Sequence, residues 1–177
     1  MSEKGLIHIY FGDGKGKTTA ALGLALRAAG CGKDVVIAHF LKSWKCGEHK
    51  SLSQLPNVTV LHGKPSCGKF IHEMSEEEKL ETKALQDECL KAALEEVENG
   101  KCDILILDEV IDAHRLGVLD AEMLEGLIND KPVSLELIIT GHKPEAWMLK
   151  QANYVTEMVK HKHPYDEGVS ARKGIEF

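Results

Sequence analysis

The sequence predicts a three-layer α/β fold in which a mostly parallel sheet of five or six strands lies between two layers of helices. Short apolar runs alternate with helical stretches along the chain, as is typical of right-handed crossovers between parallel strands. The runs are rich in β-branched residues, which suits strands buried on both faces. The 177 residues, 43% of them hydrophobic, suffice for one core, so we expect residues 1–177 to form a single domain.

Five strands are predicted from these apolar runs, and a sixth follows with a weaker pattern. They are Leu6–Phe11, Asp34–Phe40, Val58–Gly63, Asp103–Asp108 and Leu135–Thr140, with Tyr154–Met158 as the sixth. The carboxyl ends of parallel strands meet at one edge of the sheet, where open α/β folds bind their ligands. We therefore expect functional residues directly after the strands.

Four helices are predicted between the strands. They are Lys17–Ala29, Ser75–Asn99, Asp120–Asn129 and Pro144–Ala152. Ser75 and Glu78 have the spacing of a capping box at the start of the longest helix, and Gly30 is the expected C-cap of the first. Leu41–Pro56 and Lys64–Met74 are predicted to hold neither a helix nor a strand.

Charge and cysteine content restrict the class of protein. A net charge of −6 disfavours a nucleic-acid partner, which usually needs a basic face. No apolar run reaches membrane-spanning length, so no membrane partner is expected. Five cysteines without a CxxC pair indicate a reduced, cytoplasmic protein. A zinc site built from Cys46, Cys67 and neighbouring histidines stays open, although the spacing fits no zinc motif. His39 is expected to be a satisfied residue of a strand.

A glycine-rich loop, "GDGKGKTT", stands between the first strand and the first helix. Its backbone N–H groups and the positive end of the helix are suited to a triphosphate. The residues predicted to bind it are Gly12, Asp13, Gly14, Lys15, Gly16, Lys17, Thr18 and Thr19. The usual pattern, GxxxxGK[ST], would need a glycine where Phe11 stands, so this loop is one residue short.

Two adjacent carboxylates, Asp108 and Glu109, end the fourth predicted strand. A carboxylate in this position can hold Mg²⁺ together with the hydroxyl of Thr18. The sequence leaves open which of the two carboxylates contacts the ion.

Several segments together resemble the ATP:corrinoid adenosyltransferases of the cobalamin-synthesis type. They are "GDGKGKTTAALGLALRAAG", "HFLKSWKCGEH", "LILDEV", "LIITGH", "ANYVTEM" and "KHPYDEGVSARKGIEF". The resemblance runs from Gly5 to Phe177. It implies a P-loop NTPase core like that of recombinase-type ATPases, a homodimer, and a flavoprotein as electron donor.

The resemblance also implies a reaction. The 5′-deoxyadenosyl group of ATP would move to cobalt(I) of a reduced corrinoid, and triphosphate would be released. The shortened loop of the family is associated with ATP lying reversed, so that the ribose carbon faces the corrinoid. Lys15, Lys17 and Thr18, with Mg²⁺, would then stabilise charge on the triphosphate.

The same resemblance indicates the corrinoid contacts. Phe70 in "GKFIH" matches an aromatic position of the family, while His72 stands where the family has tryptophan. Trp44 is a further candidate. His142 replaces a frequent arginine.

Two other functions remain open from the sequence. A small P-loop kinase or ATPase would use the same loop and acidic pair. A regulator that binds nucleotide or corrinoid without catalysis would explain His72 and His142.

Overall fold

The computed structural model describes residues 4–42 and 46–176. Its six strands lie within one or two residues of the predicted runs, and the predicted sixth strand is present. They are β1 Ile7–Phe11, β2 Val35–Phe40, β3 Val58–Gly63, β4 Ile104–Asp108, β5 Glu136–Thr140 and β6 Tyr154–Glu157.

All six strands form one parallel sheet in the order β3-β2-β4-β5-β1-β6. β5 lies between β1, which leads into the glycine loop, and β4, which ends in the acidic pair. The carboxyl ends of these three strands therefore bring the loop, the carboxylates and Thr140 to one place. β6 is exposed at the edge of the sheet.

Six helices are found among the described residues. They are α1 Lys17–Gly30, α2 Gly47–Leu52, α3 Glu76–Glu98, α4 Val110–Arg115, α5 Ala121–Asp130 and α6 Ala146–Gln151, with 3₁₀ turns at Ile71–Glu73 and Pro164–Glu167. The four predicted helices are confirmed. The prediction that Leu41–Pro56 holds no helix is wrong, because α2 lies within it. Both α2 and α4 were missed, since six residues are too few to show an apolar period.

The helix ends test the predicted caps. The Ser75 hydroxyl accepts a hydrogen bond from the Glu78 amide at 3.2 Å, and the Glu78 carboxylate accepts one from the Ser75 amide at 2.8 Å. Gly30 as a C-cap is wrong: α1 includes it, and Gly32 takes the positive φ of 78° instead. Pro144 lies before α6 rather than in its first turn.

The helices cover both faces of the sheet. On one face the small residues Ala21 and Ala25 of α1 pack against Ile37 and Ile106. On the other face α3, α4, α5 and α6 pack against the remaining strand residues, such as Leu105. This arrangement confirms the three-layer fold. No helix within residues 4–42 and 46–176 combines the length and the apolar character needed to span a membrane.

Candidate functional site

The glycine loop is held in place by backbone hydrogen bonds from two other parts of the chain. The Gly14 amide donates to the Met158 carbonyl at 2.7 Å, just after β6, and the Gly12 amide donates to the His142 carbonyl at 3.1 Å, just after β5. Gly12 and Gly16 have φ values of 107° and 117°, which non-glycine residues rarely adopt. The loop conformation is thus fixed by its glycines and by the sheet edge around it.

Gly14 has no space for a side chain, and this gives a direct test of the anchoring. A Cβ there would lie 2.6 Å from the Met158 carbonyl oxygen. We expect Gly14→Ala to lower the free energy of unfolding by about 1–3 kcal/mol, as overpacking does, and to displace the loop. Chemical denaturation measures the change.

The matched control is Gly126→Ala on the exposed side of α5, where nothing lies within 4 Å of an added Cβ. A helical Gly→Ala change is expected to raise stability by roughly 0.5–1 kcal/mol. Equal stabilities of the two variants would contradict the steric role of Gly14.

The two lysines of the loop have different environments. Lys17 is buried, and its ammonium donates to the carbonyls of Gly12 at 2.8 Å and Gly14 at 3.0 Å. Lys15 is exposed and pairs with the Glu176 carboxylate at 3.0 Å. The sequence did not decide whether the C-terminal segment frays or folds back, and the Lys15–Glu176 contact shows that it folds back onto the loop.

Asp108 is the most heavily bonded side chain of the site. It is fully buried, and its carboxylate accepts hydrogen bonds from Thr18 at 2.9 Å, Thr140 at 2.8 Å, His39 at 3.0 Å and Lys42 at 2.5 Å. Burial by itself would raise the pKa of Asp108. The hydrogen bond from His39 and the charge of Lys42 outweigh burial and hold this pKa well below its usual range. Asp108 is therefore ionised, and its carboxylate holds four hydrogen-bond donors in place.

Glu109 differs sharply from its neighbour. It caps α4 with a φ of 64°, a strained value for glutamate, and its amide donates to the Thr140 hydroxyl at 2.9 Å. Burial, with the nearby charges of Asp108 and Asp112, raises the pKa of Glu109 to about 7. Its carboxyl group thus changes charge near neutral pH.

Glu109 also belongs to a group of side chains that fits a divalent ion. Ligand atoms of Glu109, Asp112 and His142 all lie within 4.8 Å of one another. Asp112 accepts hydrogen bonds from the amide and the ring Nδ1 of His142, both at 2.8 Å. Burial would raise the pKa of Asp112, but the hydrogen bonds from His142 lower it overall. Glu109 and Thr18 line the same cavity, of about 260 Å³, and their oxygen donors suit Mg²⁺.

The wall of that small cavity includes the predicted triphosphate loop from Asp13 to Thr19 and Glu176 of the C-terminal segment. A second, larger cleft of about 1210 Å³ adjoins it at Thr18, Thr19 and Glu109. Residues of α1, α2 and the C-terminal segment form its largely apolar walls, among them Leu22, Leu26, Leu52, Leu55 and Ile175. The loop therefore borders a space large enough for a bulky, partly apolar ligand.

The predicted corrinoid residues lie elsewhere. Phe70 is 72% exposed, and its ring stacks on His72 with centroids 5.7 Å apart at the 3₁₀ turn before α3. Neither residue lines the two cavities described above. Trp44 lies outside the described residues.

Sequence reasoning missed four residues of this site: Lys42, Thr140, Asp112 and the role of His39. Thr140 ends β5 and Lys42 follows β2, so the rule that ligands lie at strand carboxyl ends points to both. Asp112 could not be recognised as a site residue from the sequence, because it lies on α4, a helix that was not predicted. His39 was taken as a satisfied strand residue, yet only its Nδ1 has a hydrogen-bond partner.

Solved structures similar to this chain share its fold. The chain superimposes on EssC (ATPases 2 and 3) from Geobacillus thermodenitrificans with a TM-score of 0.53 and 16% identity, covering 97% of this chain and 35% of that one. The cytoplasmic domain of EssC gives a TM-score of 0.54 and 19% identity, covering 98% and 38%. The chain thus spans little more than a third of those longer chains. The similarity supports the α/β fold of the chain.

Sequence relatives are closer. The chain is 32% identical to a corrinoid adenosyltransferase of Escherichia coli K12 over 181 residues, covering 100% of this chain and 88% of the relative. The corrinoid adenosyltransferase of Pseudomonas aeruginosa is 28% identical, with 99% and 85% covered. Residues 3–177 match the family described as ATP:corrinoid adenosyltransferase BtuR/CobO/CobP. With its loop, its acidic pair and this match over nearly the full length, the chain belongs to the ATP:corrinoid adenosyltransferase family.

Proposed function

We propose that this enzyme transfers the 5′-deoxyadenosyl group of ATP to cobalt(I) of a reduced corrinoid and releases triphosphate. Membership in the corrinoid adenosyltransferase family supports adenosylation of a corrinoid. The observation that carries the finer proposal is the junction of two cavities at Thr18 and Thr19. One cavity is lined by the phosphate loop, and the other is wide and apolar.

The bonds that form and break in this reaction determine what the protein must provide. The electron pair of cobalt(I) forms a bond to the ribose 5′-carbon, while the bond from that carbon to the triphosphate oxygen breaks and its electron pair leaves with triphosphate. No proton moves in this step, so no general base is required. The protein must align the two reactants and stabilise the growing negative charge.

The loop at the start of α1 would stabilise the negative charge that grows on the triphosphate. Lys17 is positioned by the loop carbonyls, and Lys15 lies beside it at the surface. The amides of the loop and the positive end of the helix add to their effect. We assign the catalytic role of Lys15, Lys17 and Thr18 to this stabilisation.

A magnesium ion fits the donors at the loop and would neutralise part of the triphosphate charge. We assign Thr18 and Glu109 to hold it. Asp108, whose two oxygens already accept from four donors, acts through the Thr18 hydroxyl that it positions. We therefore propose Glu109, rather than Asp108, as the carboxylate that contacts the ion.

ATP is proposed to lie reversed, with its ribose carbon towards the large cleft. The apolar walls of that cleft would exclude water from the reacting ribose carbon. Phe70 and His72, stacked and exposed, and Trp44 stay predictions for contacts to the corrinoid. A homodimer and a flavoprotein electron donor belong to the same proposal, since the family resemblance implies them. A cytoplasmic location is proposed with them, because the five cysteines form no CxxC pair.

The test identifies the phosphate product. Protein, MgATP and a chemically reduced corrinoid are incubated without oxygen, and the nucleotide products are separated by anion-exchange chromatography. We expect one triphosphate for each cobalt–carbon bond that forms. ADP with free phosphate, and no alkylated corrinoid, would contradict the proposal.

The position of Glu109 favours the second candidate, an ATPase, because this residue lines both cavities beside the glycine loop. Burial and the charges of Asp108 and Asp112 raise the pKa of its carboxyl group, which suits it to accept a proton from an attacking water. The same experiment without corrinoid decides between the two. Steady release of ADP that is lost in Glu109→Gln would support hydrolysis.

A further inference from the structure

Lys42 brings a positive charge to the wall of the large cleft. Its side chain is 20% exposed, and its ammonium donates to Oδ2 of Asp108 at 2.5 Å. The Thr18 hydroxyl lies 3.2 Å from the same carboxylate oxygen, so the ammonium stands beside the start of α1. Thr18 lines both cavities, whereas Lys42 lines the larger one. The charge of Lys42 is thus placed next to the junction of the two cavities.

Among the described residues, Lys42 is the only cation on that wall. The other charged groups of the largely apolar cleft are the carboxylates of Glu48, Glu109 and Glu176. Burial by itself would lower the pKa of Lys42, but the charge of Asp108 raises this pKa overall, so the ammonium keeps its proton. An ammonium group has three N–H donors, and Asp108 accepts from one of them. The other donors can serve an anion in the cleft.

The chain bends sharply just before Lys42, and a buried glutamine holds the bend. Leu41 has a φ of 58°, a left-handed value that leucine rarely adopts. Its amide donates to Oε1 of Gln86 on α3 at 3.1 Å. Gln86 is fully buried, and Gly63 leaves room for it, since a Cβ at Gly63 would lie 2.6 Å from the same oxygen. The bond to Gln86 fixes the backbone from which Lys42 reaches Asp108.

The environment of Gln86 indicates that its oxygen has a role beyond packing. Its Nε2 is buried and has no hydrogen-bond partner among the described residues. Buried polar atoms are nearly always paired, and an apolar side chain at this position would avoid the unpaired nitrogen. Strained backbone such as that of Leu41 is found mainly at functional sites, where the surrounding structure holds it in place. The oxygen that holds Leu41 is therefore the part of Gln86 that the site requires.

We propose that Lys42 binds the α-phosphate of ATP and that Gln86, through Leu41, positions it. This inference rests on the proposed function. In that reaction the bond between the ribose 5′-carbon and an α-phosphate oxygen breaks, and its electron pair goes to that oxygen. The new negative charge thus appears at the end of the triphosphate that faces the large cleft. Lys42 lines this cleft, whereas Lys15 and Lys17 line the small cavity.

The experiment replaces one non-bridging α-oxygen of ATP by sulfur, which accepts hydrogen bonds less well. Single-turnover transfer to a chemically reduced corrinoid is measured with ATP and with each diastereomer of ATPαS. We expect one diastereomer to react more slowly than ATP with the native chain. This sulfur effect should become smaller in Lys42→Met, whose rate with ATP should fall by about 10²-fold. ATPγS is the control nucleotide, and its rate relative to ATP should be the same in both proteins.

Further variants separate a contact to ATP from a structural role. Lys42→Gln keeps a donor for Asp108 and replaces Lys42→Met if thermal unfolding shows that the latter is not folded. Lys42→Arg keeps the charge and should recover part of the rate. Gln86→Met keeps the lysine but removes the acceptor of the Leu41 amide, so its sulfur effect should also become smaller. Lys150→Met removes an exposed lysine of α6 and should behave as the native chain does.

The results distinguish failure of this inference from failure of the proposed function. A native chain that forms ADP and no alkylated corrinoid would overturn both. Release of triphosphate by the native chain, with the same sulfur effect in native and folded Lys42→Met protein, would overturn the role of Lys42 alone. An unchanged sulfur effect in folded Gln86→Met would remove Gln86 from the proposal.

Discussion

Replacing Lys17 with alanine is expected to lower the rate of adenosyl transfer by about 10²- to 10³-fold, the usual effect of removing one charge-stabilising donor. Lys17 is buried in the loop, with its ammonium fixed between the carbonyls of Gly12 and Gly14. In the proposed reaction its charge would lie where negative charge grows on the leaving triphosphate. The measurement is single-turnover formation of alkylated corrinoid under saturating MgATP.

Two controls make this result interpretable. Lys17→Arg keeps the charge and should recover part of the rate, while Lys91→Ala removes an exposed lysine of α3 and should change nothing. Thermal unfolding shows that each variant is folded. Near-native turnover by folded Lys17→Ala would remove this lysine from the proposed mechanism.

The second large effect concerns stability. Asp108→Asn is expected to lower the free energy of unfolding by about 3 kcal/mol, because it leaves partly buried Lys42 without its counter-charge. It also replaces one carboxylate oxygen by an NH₂ group, so that either Thr140 at Oδ1 or His39 and Lys42 at Oδ2 lose their acceptor. Urea denaturation at neutral pH measures the loss. Asp130→Asn, at an exposed position of α5, is the control and should be neutral.

The stability that Asp108 provides should depend on pH in a defined direction. Its pKa in the folded protein is held below the ordinary value of 3.8, so the folded state favours the ionised form. The stabilisation is then fully present above that value and disappears as the pH falls through the lowered pKa. In a Glu109→Gln background, which removes the neighbouring carboxyl group whose pKa Asp108 raises, the gap in unfolding free energy between the protein with Asp108 and the Asp108→Asn variant should be constant from pH 5 to 7 and shrink below about pH 4. A gap that widened in acid would show that Asp108 is not the ionised partner.

The parts of the structure that could be predicted are those encoded by local pattern. Each strand showed its apolar run, and the Ser75–Glu78 capping box marked the start of α3. The glycine loop was recognisable because its spacing, although short by one residue, still stands between a strand and a helix. These features depend on neighbours in the sequence, so the sequence displays them directly.

The parts that could not be predicted depend on long-range contacts. The partners of Asp108 come from α1, β2, β5 and the segment after β2, and nothing local connects Lys42 with Thr140. The closeness of His39 and His62 has the same origin, because the sheet register sets them opposite each other. Short helices such as α2 were not predicted for a different reason. Six residues make fewer than two helical turns, which is too few to show an apolar repeat.

The contact between Lys15 and Glu176 joins residues 161 positions apart. During synthesis the sheet strands up to β5 leave the ribosome long before Glu176 does. A chain that ends before β6 would lack both the Met158 carbonyl that accepts from Gly14 and the segment that contacts Lys15. The two cavities that meet at Thr18 would also lose Ile175 and Glu176 from their walls.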